Sequence, residues 1–324
     1  MTGYGSVEVL LTTYNGERYL RAQLDSLLAQ TLDGFTIVAA DDGSSDSTLV
    51  ILAAYARAHP KRLRVLAPSN RLGASANFGR LIDAASADYL FFCDQDDVWL
   101  PEKMSKSLDC IAQLSERSAP GTPLLVHTDL VVVDERLKVL GPSYFHYVGS
   151  NPARNSLAAL LLGNVVTGCT IVVNRALFEL ARPVPQGASM FDHWLALVAA
   201  GLGRIAFLNQ PTILYRQHGA NLIGADKTGT ASLAKRFYRI VIGNRTLTVL
   251  ARYSRNAELM LARYGDRVAA RDRARLLAMA CLWSQSRWRR LPSLYRVGLF
   301  KPTLATNAGL ALLVLRDGGR LGAG

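Results

Sequence analysis

The chain has 324 residues, enough for one large domain plus an appendage and for a full buried core. Half of the residues are hydrophobic and 19% are charged, which excludes a disordered chain. The net charge of +12 is lopsided: residues 1–224 carry 18 Lys+Arg against 20 Asp+Glu, whereas residues 225–324 carry 19 against 5.

Residues 1–7 hold no basic segment, and the first apolar stretch is too short for the hydrophobic part of a signal peptide. The cysteines stand at 93, 110, 169 and 281, none at metal-clip spacing. Reduced thiols in a cytoplasmic protein are the expectation. In chain order, residues 7–13 predict a strand that ends in the turn Tyr14-Asn15-Gly16. Tyr19, Leu20, Leu24, Leu27 and Leu28 then recur at helical spacing. Residues 36–40 predict a second strand, and a helix opens after Asp41–Asp46 with Asp46 or Ser47 as its N-cap. Strands are predicted over 63–67 and 89–93, with helices over 74–84 and, after Pro101, over 102–114. Further strands are predicted over 124–134, 169–174, 205–208 and 212–216, with a helix over 192–200. Beyond Gly224 the pattern turns to Arg-rich helices, so a boundary is expected near 224–229, dividing the chain into 1–224 and 225–324.

Alternation of this kind predicts an α/β fold, a mainly parallel sheet flanked by helices, whose ligands collect at the carboxyl ends of the strands. The polar clusters fall at those ends. Asp94-Gln95-Asp96-Asp97 places three carboxylates within four residues after a buried strand, where they repel one another unless a cation binds. Mg²⁺ or Mn²⁺ takes one or two carboxylates plus phosphate oxygens, so this segment suits a metal-bound diphosphate. An acidic turn capping the next helix is the plainer alternative. Asp41-Asp42-Gly43-Ser44-Ser45-Asp46 reads by itself as a glycine turn with a helix cap, and by its position as a contact for a base or ribose. Thr12-Thr13-Tyr14-Asn15 offers hydroxyls and a ring to the same ligand. Neither a Walker loop nor G-x-G-x-x-G is present, which speaks against a P-loop ATPase or a dinucleotide enzyme.

Residues 10–16 (LLTTYNG), 41–46 (DDGSSD), 73–79 (GASANFG) and 93–104 (CDQDDVWLPEKM), in this order and spacing, resemble the glycosyltransferase family 2 domain of the GT-A fold. The resemblance runs from about residue 6 to residue 224. It implies an inverting, metal-dependent transferase that moves a sugar from a nucleotide diphosphate to an acceptor hydroxyl. The Asp-Gln-Asp-Asp-Val-Trp form looks most like members that transfer rhamnose or related deoxysugars in bacterial surface polysaccharide assembly. On this resemblance Asp41, Asp42 and Asn77 contact the nucleotide, helped by Thr13, Tyr14 and Asn15. Asp94 and Asp96 hold metal and diphosphate, with Asp97 as a further ligand or a helper. Asp192, in Met190-Phe191-Asp192-His193-Trp194, matches the general base, and a plain N-cap is the other reading of it. Relatives often read His-Asp-Trp there, which leaves His193 the weaker candidate for a role. Tyr215-Arg216-Gln217-His218 matches the segment in which an Arg meets phosphate and a His adds a metal ligand, although a lone His is as often structural. Gly168-Cys169-Thr170 and Trp194 match acceptor-side positions, and Trp194 is nearly as well read as core.

The basic C-terminal region has Arg beside Trp, Tyr and Leu on helices, and its apolar stretch at 304–315 is too short to span a bilayer. It reads as a surface attracted to anionic lipid on the inner membrane face, fitting a glycan or lipid-linked acceptor. A solvated helical face or a self-association surface gives the same pattern. Nucleic-acid binding is not expected, since no motif supports it. The rival functions are a nucleotidyltransferase and a non-catalytic nucleotide-sugar-binding protein on the same scaffold.

Overall fold

The computed structural model describes residues 4–218 and 244–316. Its strands are β1 Val7–Thr13, β2 Phe35–Asp41, β3 Leu63–Val65, β4 Tyr89–Cys93, β5 Val98–Trp99, β6 Leu124–Val133, β7 Val139–Gly141, β8 Val172–Asn174 and β9 Arg204–Arg216. The helices are α1 Leu20–Leu28, α2 Thr48–Ala58, α3 Ala74–Asp83, α4 Lys103–Glu116, α5 Tyr144–Val148, α6 Leu157–Leu160, α7 Arg175–Ala181, α8 Phe191–Leu202, α9 Asn244–Tyr264, α10 Ala270–Ala280, α11 Arg287–Arg296 and α12 Leu304–Leu315. The strands join in one sheet, ordered β3-β2-β1-β4-β8-β6-β9-β5 with β7 beside β6. Strands β3, β2, β1 and β4 are parallel, as are β6 and β9; β8 runs antiparallel to β4 and β6 and bridges the two groups.

Period-two alternation sends neighbouring residues of each strand to opposite faces of the sheet. Leu10, Val38, Leu90 and Phe92 enter one core with α3, α6, α7 and α8. Val9, Leu11, Ile37, Phe91 and Cys93 enter the other with α1, α2 and α4. Both faces are covered, which explains why the parallel strands read as unbroken apolar runs. The C-terminal helices are not a loose tail. Leu250, Ala257, Met260 and Tyr264 of α9, Leu276 and Met279 of α10, Leu294 of α11 and Leu310 and Val314 of α12 all join the first core. Each fully buried Leu or Met there stabilises the fold by about 1.5–3 kcal/mol.

Three readings change. The strands expected over 205–208 and 212–216 are one strand, β9, because β6 pairs Thr128 with Leu208 and Asp129 with Pro211. Asn209 and Gln210 are thus absorbed as a bulge rather than ending the strand. The strand expected from Cys169 begins at Val172, since Gly168–Thr170 forms a 3-10 turn in which the backbone and hydroxyl of Thr170 both donate to Thr167 O. Trp194 is fully buried and donates to Ala181 O at 2.9 Å, so it belongs to the core and not to an acceptor surface. The boundary expected near 224–229, with all of residues 219–243, lies outside the described residues. Among the described residues no helix is long and apolar enough to cross a membrane.

Candidate active site

In-register pairing of Thr13 with Asp41 and of Leu11 with Cys93 brings the carboxyl ends of β1, β2 and β4 together. The loops that follow them carry Tyr14–Asn15, Asp42–Asp46 and Asp94–Asp97. They are tied to one another. Gln95 brackets Tyr14, its Oε1 accepting from Tyr14 N at 2.8 Å and its Nε2 donating to Tyr14 O at 2.9 Å. Asn15, at a positive φ of 46°, accepts from Ser45 N at 2.8 Å and donates its backbone N–H to Ser44 Oγ at 2.8 Å. The Tyr14 ring is partly exposed, with the Arg71 guanidinium 4.3 Å from its centre.

The first acidic pair is buried and engaged within the chain. Asp41 accepts from Thr13 Oγ1 at 2.7 Å and Ser44 Oγ at 2.6 Å on one oxygen, and from the N–H groups of Gly43 and Ser44 at 3.0 and 2.7 Å on the other. Four donors fill the four acceptor positions of a carboxylate. Asp42 accepts only two from the described residues, from Leu72 N at 2.7 Å and Gly73 N at 2.9 Å. Asn77 is buried too, donating to Ala40 O at 2.7 Å and accepting from Arg80 at 3.0 Å. Thr13, Asp41 and Asn77 therefore build the turn, while Asp42, Tyr14 and Asn15 keep capacity for a ligand.

The second acidic cluster is different. Asp94 and Asp96 are partly exposed at the end of β4. Burial, then the charges of Asp96 and Asp192, push the Asp94 carboxyl up to about 7. Asp97 is fully buried, accepting Arg216 N at 3.0 Å and lying against the Cys169 thiol. Burial raises it well above the carboxylate range, and the charges of Asp96 and Asp94 add to the shift. Lys103 is buried below, its ammonium 4.4 Å from the Trp99 ring. Burial lowers Lys103 to about 8, countered by Cys169, Cys93 and Asp97. Arg216 is buried as well. Its Nε donates to Asp96 O at 2.7 Å and its Nη1 to Glu135 O at 2.6 Å, while the guanidinium covers Tyr19 at 4.7 Å. These bonds fix the Asp96–Asp97 loop. His218 stacks on Tyr19 at 4.7 Å and donates its Nε2 proton to Asp96 Oδ2 at 2.8 Å.

Two donor sets for a divalent cation overlap here. Asp94, Asp97 and Cys169 have atoms within 4.8 Å of one another, but burial holds the Cys169 thiol protonated, and a neutral thiol is a poor ligand for a hard ion. By donor chemistry Asp94, Asp96 and His218, whose Nε2 lies 2.8 Å from Asp96 Oδ2, suit Mg²⁺ or Mn²⁺ better.

Asp192 enters the same cleft from the first turn of α8. Phe191 anchors that turn by stacking on Phe78 at 4.0 Å and packing on Phe92 at 5.1 Å. Gly168 lies against it, and a Cβ there would meet the Phe191 ring at 2.9 Å. The Asp192 carboxylate accepts His193 N at 2.6 Å and the Gly168 backbone, yet burial raises it to about 6. The structure thus brings Asp42, Asp94, Asp96, Asp192 and His218 toward one region at the strand ends.

Sequence reasoning missed the support behind Asp192. The His193 ring is buried, with Nε2 2.9 Å from Leu160 O. A carbonyl only accepts, so Nε2 carries the proton and Nδ1 accepts from Asn256 Nδ2 at 3.0 Å. Burial lowers His193 to about 4, in keeping with a neutral ring. Asn256, on α9, also accepts Ser189 N at 2.9 Å. Nothing near Asp192 in the sequence signals this partner from 63 residues away.

Residues 8–118 match the family model described as glycosyl transferase family 2. The dTDP-rhamnosyl transferase RfbG of Shigella flexneri is 28% identical over 230 residues, covering 67% of this chain and 74% of that protein. The chain is a glycosyltransferase with a family 2 domain. An uncharacterized protein of Mycobacterium tuberculosis matches this glycosyltransferase over more of its length, 25% identical across 308 residues and covering 88% of this chain and 86% of that one. Among solved structures, residues 1–349 of Staphylococcus aureus TarS in complex with UDP-GlcNAc superpose with a TM-score of 0.52 at 15% identity, covering 96% of this chain and 90% of that chain. The mannosyltransferase PcManGT of Pyrobaculum calidifontis, in complex with GDP-Man and Mn²⁺, gives 0.53 at 18% identity, covering 96% and 81%. The fold of the glycosyltransferase is GT-A, with helices following the sheet.

Proposed function

We propose that this glycosyltransferase is an inverting, metal-dependent enzyme that takes a sugar, rhamnose from dTDP-rhamnose being the favoured case, and joins it to a hydroxyl of a glycan or lipid-linked glycan acceptor. One observation carries the reading. Asp192 lies close enough to the crowded carboxylates at the end of β4 for its charge to add to the raised pKa of Asp94. A base on one side of a cleft and a cation-binding cluster on the other is what single displacement requires. The rhamnose assignment is supported by the relative from Shigella and by the Asp-Gln-Asp-Asp-Val-Trp form.

Tyr14, Asn15 and Asp42 receive the nucleotide: the Tyr14 ring stacks on the base and the free acceptor positions of Asp42 take its N–H. Thr13, Asp41 and Asn77 keep these groups in place. Asp94, Asp96 and His218 would hold Mg²⁺ or Mn²⁺, which would supply positive charge against the leaving diphosphate. Arg216 stiffens the Asp96–Asp97 loop. Asp192, unprotonated above about pH 6, removes the acceptor hydroxyl proton as the hydroxyl attacks the anomeric carbon. No covalent intermediate is needed, and the configuration inverts. The C-terminal helices bring the enzyme to the cytoplasmic face of the membrane, where a lipid-linked acceptor is found.

Thermal shifts with dTDP, UDP and GDP, each with and without Mn²⁺, test the donor site. Stabilisation by dTDP that needs Mn²⁺ and is lost in Asp96→Ala is expected. Binding indifferent to both metal and Asp96 would overturn the metal assignment, and stabilisation by UDP or GDP alone would overturn rhamnose.

A further inference from the structure

The excess charge of the C-terminal region is not spread evenly over its surface. From Arg273 to Arg316 there are eight Lys+Arg and no Asp or Glu. Nearby acids are already matched, Glu258 to Arg255, Asp266 to Arg273 and Asp272 to Arg275. Helix α11 holds four arginines, and the structure separates them by role. Arg290 turns inward, over the Trp283 ring at 5.2 Å, and donates to Gln285 O, Val314 O and Arg316 O at 3.2, 3.0 and 3.1 Å, tying α11 to α12. Arg287, Arg289 and Arg296 have no acidic partner among the described residues.

The outer stripe of α11 is also aromatic. Gln285, Trp288, Arg289, Pro292, Ser293 and Arg296, spaced as one helical face, line a shallow open groove. Trp288 is 69% exposed with the Arg287 guanidinium 4.9 Å from its ring, and Tyr295 borders it at 42%. Leu294 holds the opposite face in the core. A merely solvated basic face has no reason to expose an indole. Trp beside unpaired Arg, on a helix laid flat against a folded body, suits the boundary between headgroups and acyl chains, where the ring is half-immersed and the guanidinium groups meet phosphate. Phe300 at 58% and Leu304 at 91% exposure extend the apolar surface toward α12.

We propose that the outward face of α11 docks this enzyme on an anionic lipid bilayer through Trp288, Arg287, Arg289 and Arg296. The inference rests on the peripheral-membrane part of the functional reading and narrows it from a charged region to one helix face.

The protein reports on this face by its own fluorescence. Trp99 and Trp194 are buried and Trp283 is partly so, which leaves Trp288 as the solvent-exposed indole. The full chain is mixed with vesicles of phosphatidylcholine alone or with phosphatidylglycerol. Co-sedimentation and a blue shift of emission are expected only with phosphatidylglycerol, both weakening in high salt. Trp288→Phe should abolish the shift while leaving much of the sedimentation. A triple Arg287→Ala, Arg289→Ala, Arg296→Ala variant should bind such vesicles roughly a hundredfold more weakly. Thermal stabilisation by nucleotide with Mn²⁺ should be the same in all variants, which shows that they are folded. Unchanged sedimentation of the triple variant, or no binding by the wild type, would sink the proposal. So would a blue shift that follows protein concentration without vesicles, which marks self-association instead. Loss of nucleotide binding alone, with vesicle binding intact, would strike the donor-site reading and leave this one standing.

Discussion

Two acidic turns end neighbouring strands of one sheet, and they solve the problem of buried charge in opposite ways. Asp41 receives four hydrogen bonds, and Asp42 receives two from backbone N–H groups. Asp94, Asp96 and Asp97 press their charges on one another, with Arg216, His218 and the deeply buried Lys103 nearby. A carboxylate with its acceptor positions filled is a structural part, because ligand binding would have to break bonds already made. A carboxylate held beside like charges is a site in waiting, because a cation removes the repulsion. The primary structure spells both turns almost alike.

The largest test of this contrast lies at Asp192, whose carboxylate has partners yet is raised to about 6. Asp192→Asn should lower kcat by about 10²–10⁴-fold, the usual range for a general base, while leaving metal-dependent donor binding unchanged in calorimetry. If the variant keeps wild-type turnover, Asp192 is only the cap of α8.

Stability should then respond with opposite signs at the two turns. Asp41→Asn removes charge-assisted bonds and should cost about 1.5–3 kcal/mol in denaturant melts. Asp94→Asn, in metal-free protein, relieves repulsion and should raise stability while abolishing Mn²⁺-dependent nucleotide binding. The same sign on both melts would erase the contrast.

The pH dependence sharpens it further. Asp94 and Asp192 titrate near 7 and 6 when folded against 3.8 for an ordinary Asp, so between about pH 4 and 7 the folded state holds more protons than the unfolded one. These two groups must therefore make metal-free protein less stable as pH rises through that window, and melts in which their Asn variants keep the wild-type slope would contradict this. Activity should run the other way, with kcat falling below about pH 6 as Asp192 takes up its proton.

The smallest expected effect is at Asn256. Asn256→Ala frees the His193 ring and should lower kcat roughly threefold to tenfold with the donor KM unchanged, an effect of about 1 kcal/mol set by one neutral hydrogen bond. A change in KM without one in kcat would mean that α9 shapes the donor pocket instead.

Much of this was legible in the sequence. The strand ends were visible because apolar runs stop at polar turns, which puts Asp42 and Asp94 at the carboxyl ends of strands of one sheet, whereas Asp192 was named through the family resemblance alone. Three things were hidden for physical reasons. The filled acceptor positions of Asp41 depend on Thr13, a partner 28 residues away that strand pairing supplies. The bulge in β9 was masked by Pro211, which reads locally as a break although the pairing with β6 resumes there. Asn256 lies in a helix whose periodicity shows only its apolar face, so a polar residue turned inward carries no local sign. His193, read as the weaker candidate beside Asp192, is the link to it.

The shared core of α8 and α9 has a consequence for how the chain is made. Trp194 and Tyr264 pack ring against ring at 6.1 Å, and Leu250, Ala257 and Met260 cover the same core. Synthesis runs from the N-terminus, so the strands and α8 leave the ribosome well before α9 can cover them. The nascent α/β half must wait with that apolar flank bare, which makes it a natural client for chaperones. It also means the helix bearing Asp192 reaches its final setting only near the end of translation, so a ribosome that stops early releases an unfinished fold in place of a working enzyme without its tail.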